Sequence, residues 1–183
     1  MTVKQRLEHA SKNSLLVRIY REAFADECIV GYVVGTGPDH FAMEIISTAI
    51  HYDGYCCIRY TDVSRCYIPD PDSEFLKKAL TLRGERQKGN PGVDLSTSAS
   101  IVKSASLVFE TVNIWQEELE PRVCYIGRVT ELTSTNVKLR TITPNGEWED
   151  GIAAYNLKDV TKIDFGGSYE EILVLVADDT RLH

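Results

Sequence analysis

The densest concentration of chemically capable side chains is the run His51-Tyr52-Asp53-Gly54-Tyr55-Cys56-Cys57. It holds a base, a carboxylate and a nucleophile, the parts of a catalytic triad. Triads are defined by geometry rather than by order along a chain, and Tyr52-Asp53-Gly54 reads first as a turn. The matching region of the second half is Glu147-Trp148-Glu149-Asp150, which would not run the same chemistry. Cys28, Cys56, Cys57 and Cys66, with His40 and His51, invite a zinc reading, but paired Cys-x-x-Cys spacing is missing. On a strand, Cys56 and Cys57 point to opposite faces and do not easily share an ion. Packing as small apolar groups is the expectation for the thiols, with Cys28 and Cys124 at a shared core position. Asp62 and Asp159 match between the halves, each beside an apolar strand, where a carboxylate satisfies backbone donors. There is no P-loop, G-x-G-x-x-G, His-Glu-x-x-His or G-x-S-x-G. Gly35-Thr36-Gly37-Pro38 opens no helix that would cradle a phosphate. No metal and no cofactor is expected.

Charge narrows the partners. The formal charge is −7, yet residues 1–92 carry 12 basic and 12 acidic side chains, whereas 93–183 carry 8 and 15. A nucleic-acid backbone calls for a basic stripe, which the second half lacks. Arg18, Arg21, Arg59 and Arg65 of the neutral first half are the cations an RNA would use. Glu117, Glu118 and Glu120, around Leu119 and Pro121, form an acidic hairpin tip, either a solvated loop or a docking site for a basic partner. No apolar run approaches the roughly eighteen residues of a membrane span. The start, MTVKQRLEHASK, lacks the apolar region of a secretory signal. Five cysteines without framework spacing suit a reducing compartment, so a cytoplasmic location is expected.

The elements that must position these residues occur twice. Val17–Phe24 aligns with Val112–Leu119 at an offset of 95, and Cys28–Val33 with Cys124–Val129 at 96. Asp62-Val63-Ser64-Arg65 returns as Asp159-Val160-Thr161-Lys162 at 97. Alternation in Val112, Ile114 and in Val137, Leu139 has the period of half-buried strands. Pro144-Asn145-Gly146 marks a hairpin, and mid-strand Gly31 and Gly127 mark bends or close backbone approach. Thr2-Val3-Lys4-Gln5 has capping-box spacing before Leu7 and Ala10. Pro71-Asp72-Ser73 offers a cap before Phe75, Leu76, Ala79 and Leu80, with Gly84 as a stop. Tyr169, Ile172, Leu173 and Val176 form a helical apolar stripe. The segment Ser96–Ala105 fits helix or strand.

A helix followed by about five short strands, the second bent and carrying Gly-x-Val, resembles the Sm-like (LSm) small β-barrel superfamily. The carriers are Val17-x-Ile19, Gly31-x-Val33 and Met43-x-x-Ile46, with Val112-x-Ile114, Gly127-x-Val129 and Leu139-x-x-Ile142. The segment Tyr155–Ile163 is similar to the closing strand of small barrels in bacterial ribosome-maturation proteins. The resemblance implies a mainly β fold of two tandem Sm-like or SH3-like antiparallel barrels with short flanking helices. Its expected boundaries are a first barrel over 1–83, a linker over 84–98 and a second barrel over 99–183. RNA-binding members carry Asp and then Met-Asn after that glycine. Here Gly37 and Thr133 stand at the Asp position, and Phe41 and Val137 at the Asn position. Family rings join subunits by edge pairing, so the two halves are expected to pair internally, and the expected partners are another copy or another protein. Three functions stay open: a non-enzymatic binding or scaffold protein, an RNA-binding module using the first barrel, and an enzyme using His51–Cys57.

Overall fold

The computed structural model describes residues 1–179, so the last residues of the expected second domain, 180–183, lie outside it. The chain opens with helix α1 (Val3–Lys12). The Thr2 hydroxyl accepts from the Gln5 N–H at 3.2 Å and the Gln5 side chain accepts from the Thr2 N–H at 2.9 Å, a complete capping box. Strands β1 (Leu16–Tyr20), β2 (Cys28–Thr36), β3 (His40–Ile46) and β4 (Tyr52–Arg59) follow. A 3-10 turn (Tyr60–Asp62), strand β5 (Arg65–Tyr67) and helix α2 (Ser73–Leu82) complete the first set. The second set repeats the order: α3 (Ser98–Ser106), β6 (Val112–Trp115), β7 (Cys124–Leu132), β8 (Asn136–Thr141), β9 (Ala153–Asn156), a 3-10 turn (Leu157–Asp159), β10 (Lys162–Phe165) and α4 (Ser168–Ala177). The ambiguous segment is therefore helix. Thr97 caps it by accepting from the Ser100 N–H at 3.0 Å, the job Thr2 performs at the start of α1.

All strand pairings are antiparallel, and the strands run β5-β1-β2-β3-β4-β10-β6-β7-β8-β9. With β10 taken as the counterpart of β5, both halves have the same internal order. The register shift in β2 between Val33 and Gly35 recurs in β7 between Val129 and Glu131. A side chain at Gly31 would collide with the Glu44 carbonyl, and one at Gly127 would lie 2.5 Å from the Arg140 carbonyl oxygen. Both glycines let the partner strand approach where the sheet bends. Mainly antiparallel β structure with short flanking helices thus matches the expectation. Among the described residues, however, the ladder is one open sheet of ten strands rather than two separately closed barrels. The reason is the β4–β10 pairing, in which each half lends the other an edge.

Because side chains alternate across a strand, the two faces of the shared sheet serve different cores. Cys56 lies with Val17, Ile19, Phe41 and Met43 beneath Leu7 and Ala10 of α1. Its neighbour Cys57 faces the other way, among Ile114, Val137, Leu139 and Ile163 beneath Ile101, Val102 and Ala105 of α3. Cys66 is buried with the first core. Cys28 and Cys124 do not share a core position: Cys28 is exposed and Cys124 half-buried, each at the first residue of its strand. Helix α2 packs Leu80 against Leu16, Tyr32 and Ile46, and α4 packs Leu173 against Ile126 and Ile142. In α4 the expected inward stripe is largely outward, since Leu173 and Val174 go in while Tyr169, Ile172 and Val176 face out.

Candidate functional site

The seam between the halves is where the candidate residues meet. Its centre is the β4–β10 ladder, with Ile58 opposite Lys162, Cys57 opposite Ile163, Cys56 opposite Asp164 and Tyr55 opposite Phe165. The Tyr55 and Phe165 rings stack at 5.6 Å, and the Phe109 ring lies 5.1 Å from that of Phe165. Two cations reach across from the first half. Arg21 donates to both carboxylate oxygens of Glu117, at 3.1 and 2.5 Å, and to the Thr161 carbonyl at 3.4 Å. Both members of this forked pair are buried, and the Thr161 hydroxyl donates to the same carboxylate at 2.6 Å. Arg59 donates to Asp62 at 2.7 Å and to Glu118 at 3.3 Å.

The acidic tip therefore does not stand free. Glu117 and Glu118 face the first half, and Glu120 accepts from the Tyr125 hydroxyl. Of the arginines considered for RNA, Arg18 binds Asp70 at 2.7 Å and Asp72 at 2.6 Å, and Arg65 is paired with Glu22. Arg21 and Arg59 belong to the seam. All four meet carboxylates, and the structure brings two of them together with two of the three candidate glutamates.

The His51–Cys57 segment is dispersed. His51 meets the Ser47 hydroxyl at 3.0 Å. Asp53 accepts from the N–H of Ser168 at 2.8 Å and from its hydroxyl at 2.7 Å, so a residue of the first half caps α4. Burial would raise the Asp53 pKa, but these two bonds prevail and hold it below the usual carboxylate value. Burial pushes the Cys56 thiol up to about 12, with nearby Asp164 adding to the rise, and carries Cys57 well above its ordinary value. Both are thiols rather than thiolates near neutrality, the wrong form for a nucleophile. Asp62 takes Arg59 and the Thr61 hydroxyl rather than backbone donors.

The repeated Asp-Val-hydroxyl-cation signature has one local job performed twice. Ser64 donates its hydroxyl to the Tyr20 carbonyl at 3.0 Å and accepts from the Glu22 N–H at 3.2 Å. Thr161 holds the same place: its hydroxyl accepts from the Glu117 N–H at 3.3 Å, and its backbone N–H donates to the Trp115 carbonyl at 2.9 Å as that of Ser64 does to Tyr20, while its one hydroxyl proton goes to the Glu117 carboxylate. The next residue lays its cation over an aromatic ring: Arg65 over Tyr20 at 4.6 Å, Lys162 over Trp115 at 4.0 Å. Burial opposes charge on Lys162, yet Asp164 at 3.1 Å keeps its pKa raised. Sequence reasoning saw this motif without its consequence, and it missed Thr161, Lys162 and Asp164 as seam residues. It also treated 84–98 as a linker, whereas Glu44 accepts the Lys88 and Gly89 N–H groups and Val93 and Leu95 enter the second core.

No family model, no curated protein and no solved structure matches this chain.

The seam also defines what lies at the ends of the sheet. The counterpart of β10 is β5, and the counterpart of β4 is β9. These two are the terminal strands of the ladder, each with one side unpaired among the described residues. No described helix is long and apolar enough to cross a membrane.

Proposed function

We propose that the chain is a non-enzymatic scaffold built from two Sm-like halves, and that it assembles head to tail with further copies through its terminal strands. One observation carries this reading: the two strand types joined at the seam are the two left open at the ends. A head-to-tail contact of this kind is heterologous, so it propagates into a ring or a filament. Exposed ladder edges are templates for such addition.

The seam supplies the register. Moving β10 onto β5 and β4 onto β9 at their offset of 97 places Tyr155 opposite Arg65 of the next copy, Ala154 opposite Cys66 and Ala153 opposite Tyr67. The ion pairs do not carry over. The residue at the place of Arg21 is Gln116, and the residue at the place of Glu117 is Glu22, an amide facing a carboxylate. The place of Arg59 is taken by Asn156 and that of Glu118 by Ala23. The junction between copies is therefore weaker than the seam and reversible. RNA binding is disfavoured, because each candidate arginine already holds a carboxylate.

Sedimentation across a range of protein concentrations tests the proposal. The mass should rise in multiples of the 20.6 kDa chain, and Ala154→Pro should return it to the monomer with the circular dichroism unchanged. Under mild oxidation, Ala154→Cys should cross-link to Cys66 of another copy. A monomer at every concentration, with no cross-link, removes the reading.

A further inference from the structure

Apart from Ser168, Glu170 and Glu171 in its first turn, helix α4 is apolar throughout, a composition that belongs to a well-covered helix. Yet it covers the sheet with only Leu173 and Val174 fully buried. At 100° per residue, Leu175, Ile172, Val176 and Tyr169 occupy about 120° of its outward surface. They are 65, 57, 40 and 56% exposed. Leu107 and Val108, at the end of α3, are exposed as well. Two open clefts border α4, one lined by Val108, Phe109 and Gly166 and the other by Ile172 and Val176; Glu110, Val174 and Leu175 line both. Contiguous exposed apolar surface of this kind marks an interaction site.

Charge defines the occupant. Carboxylates on the two clefts include Glu110, Glu170, Glu171 and Asp178. Arg128 pairs with Glu110 and Asp178, and Glu170 accepts from the Asn113 amide, so that among the described residues Glu171 is a rim carboxylate that meets no cation. Asp178 also accepts from the Trp148 indole at 2.7 Å, and that bond together with Arg128 holds its pKa below the usual carboxylate value. The face is an apolar stripe inside an acidic rim.

We infer that the outward face of α4 docks an amphipathic helix of another protein, with an unbroken apolar stripe flanked by lysine or arginine. An apolar helix face laid into such a groove is a recurring mode of recognition. The chain's own helix α2 is a poor complement. Its outward face is Phe75, Lys78 and Leu82, with a cation in the middle of the stripe where the groove is apolar. This contact lies apart from the terminal strands, so it stands independently of the head-to-tail proposal.

The test uses the full chain and a designed helical peptide of about four turns, with leucines at i, i+3, i+4 and i+7 and lysines on the flanks. Fluorescence anisotropy of the labelled peptide should report saturable binding that weakens as salt rises. Ile172→Ser with Leu175→Ser should weaken it at least tenfold while leaving the melting temperature and the sedimentation profile unchanged, since both side chains are exposed. Glu171→Lys should weaken the lysine peptide and favour a glutamate-flanked one. Binding that ignores these substitutions overturns the inference, as does equal binding of both peptides. Self-association abolished by the α4 substitutions would also overturn it, assigning the face to a second copy.

Discussion

At the residue scale, the most consequential pair is Arg21 with Glu117. Both are buried, and the fork geometry satisfies two carboxylate oxygens with one guanidinium. Removing one partner leaves an unmatched buried charge. Glu117→Ala is expected to cost about 3–5 kcal/mol, read as a lower urea midpoint. Replacing both partners, as Arg21→Met with Glu117→Leu, should restore much of that loss. Asp53 gives a pH-dependent counterpart. Its folded pKa is depressed, so it stabilises above the unfolded value of about 3.9 and the contribution disappears as pH falls through the lower folded value. The stability gap between the wild type and Asp53→Asn should therefore close in acid. Cys56 runs the opposite way. Its folded pKa is raised to about 12, so stability is full below the unfolded value near 8.5 and declines as pH climbs between the two. A thiol reagent should label exposed Cys28 quickly and spare Cys56 and Cys57 until the protein unfolds. None of these partners was visible in the sequence, where Arg21 and Glu117 lie in different repeats and each was assigned to a different kind of ligand.

At the element scale, local signals were read well and contacts between elements were not. The Thr2–Gln5 capping box forms as its spacing indicates, and the Pro144-Asn145-Gly146 turn puts Gly146 at φ +73° with Gly146 N–H bonded to Thr143 O. Gly31 and Gly127 are close-approach positions, as mid-strand glycines suggested. Because the atom opposing Gly31 is a backbone oxygen with no room to move, Gly31→Ala is expected to cost about 2–3 kcal/mol in denaturant melts. The same change at Gly84, where a side chain meets nothing and only the positive φ resists, should cost less. In helix α4 the apolar residues form two overlapping stripes. Periodicity finds Tyr169, Ile172, Leu173 and Val176, while packing chooses Leu173 and Val174.

At the scale of the whole molecule, the seam makes the halves interdependent. Ala42, Tyr55 and Cys57 of the first half belong to the second core, together with Val93 and Leu95 of the connecting segment. Fragments 1–90 and 91–183 are accordingly expected to be unstable apart and to regain the native circular dichroism when mixed. The intact chain should melt in a single transition, because unfolding either half exposes the core and ladder edge of the other.

Composition, repeat offsets and turn residues were enough to establish a duplicated, mainly antiparallel β chain and to locate its strands, since those features depend on neighbours a few residues apart. Which edges pair, which carboxylate meets which arginine, and which side of α4 is covered were decided by contacts between residues separated by as many as 140 positions. Such contacts leave no local pattern. They follow from the β4–β10 ladder, which merges two repeats into one sheet and turns residues that look like surface sites into the bonds between them.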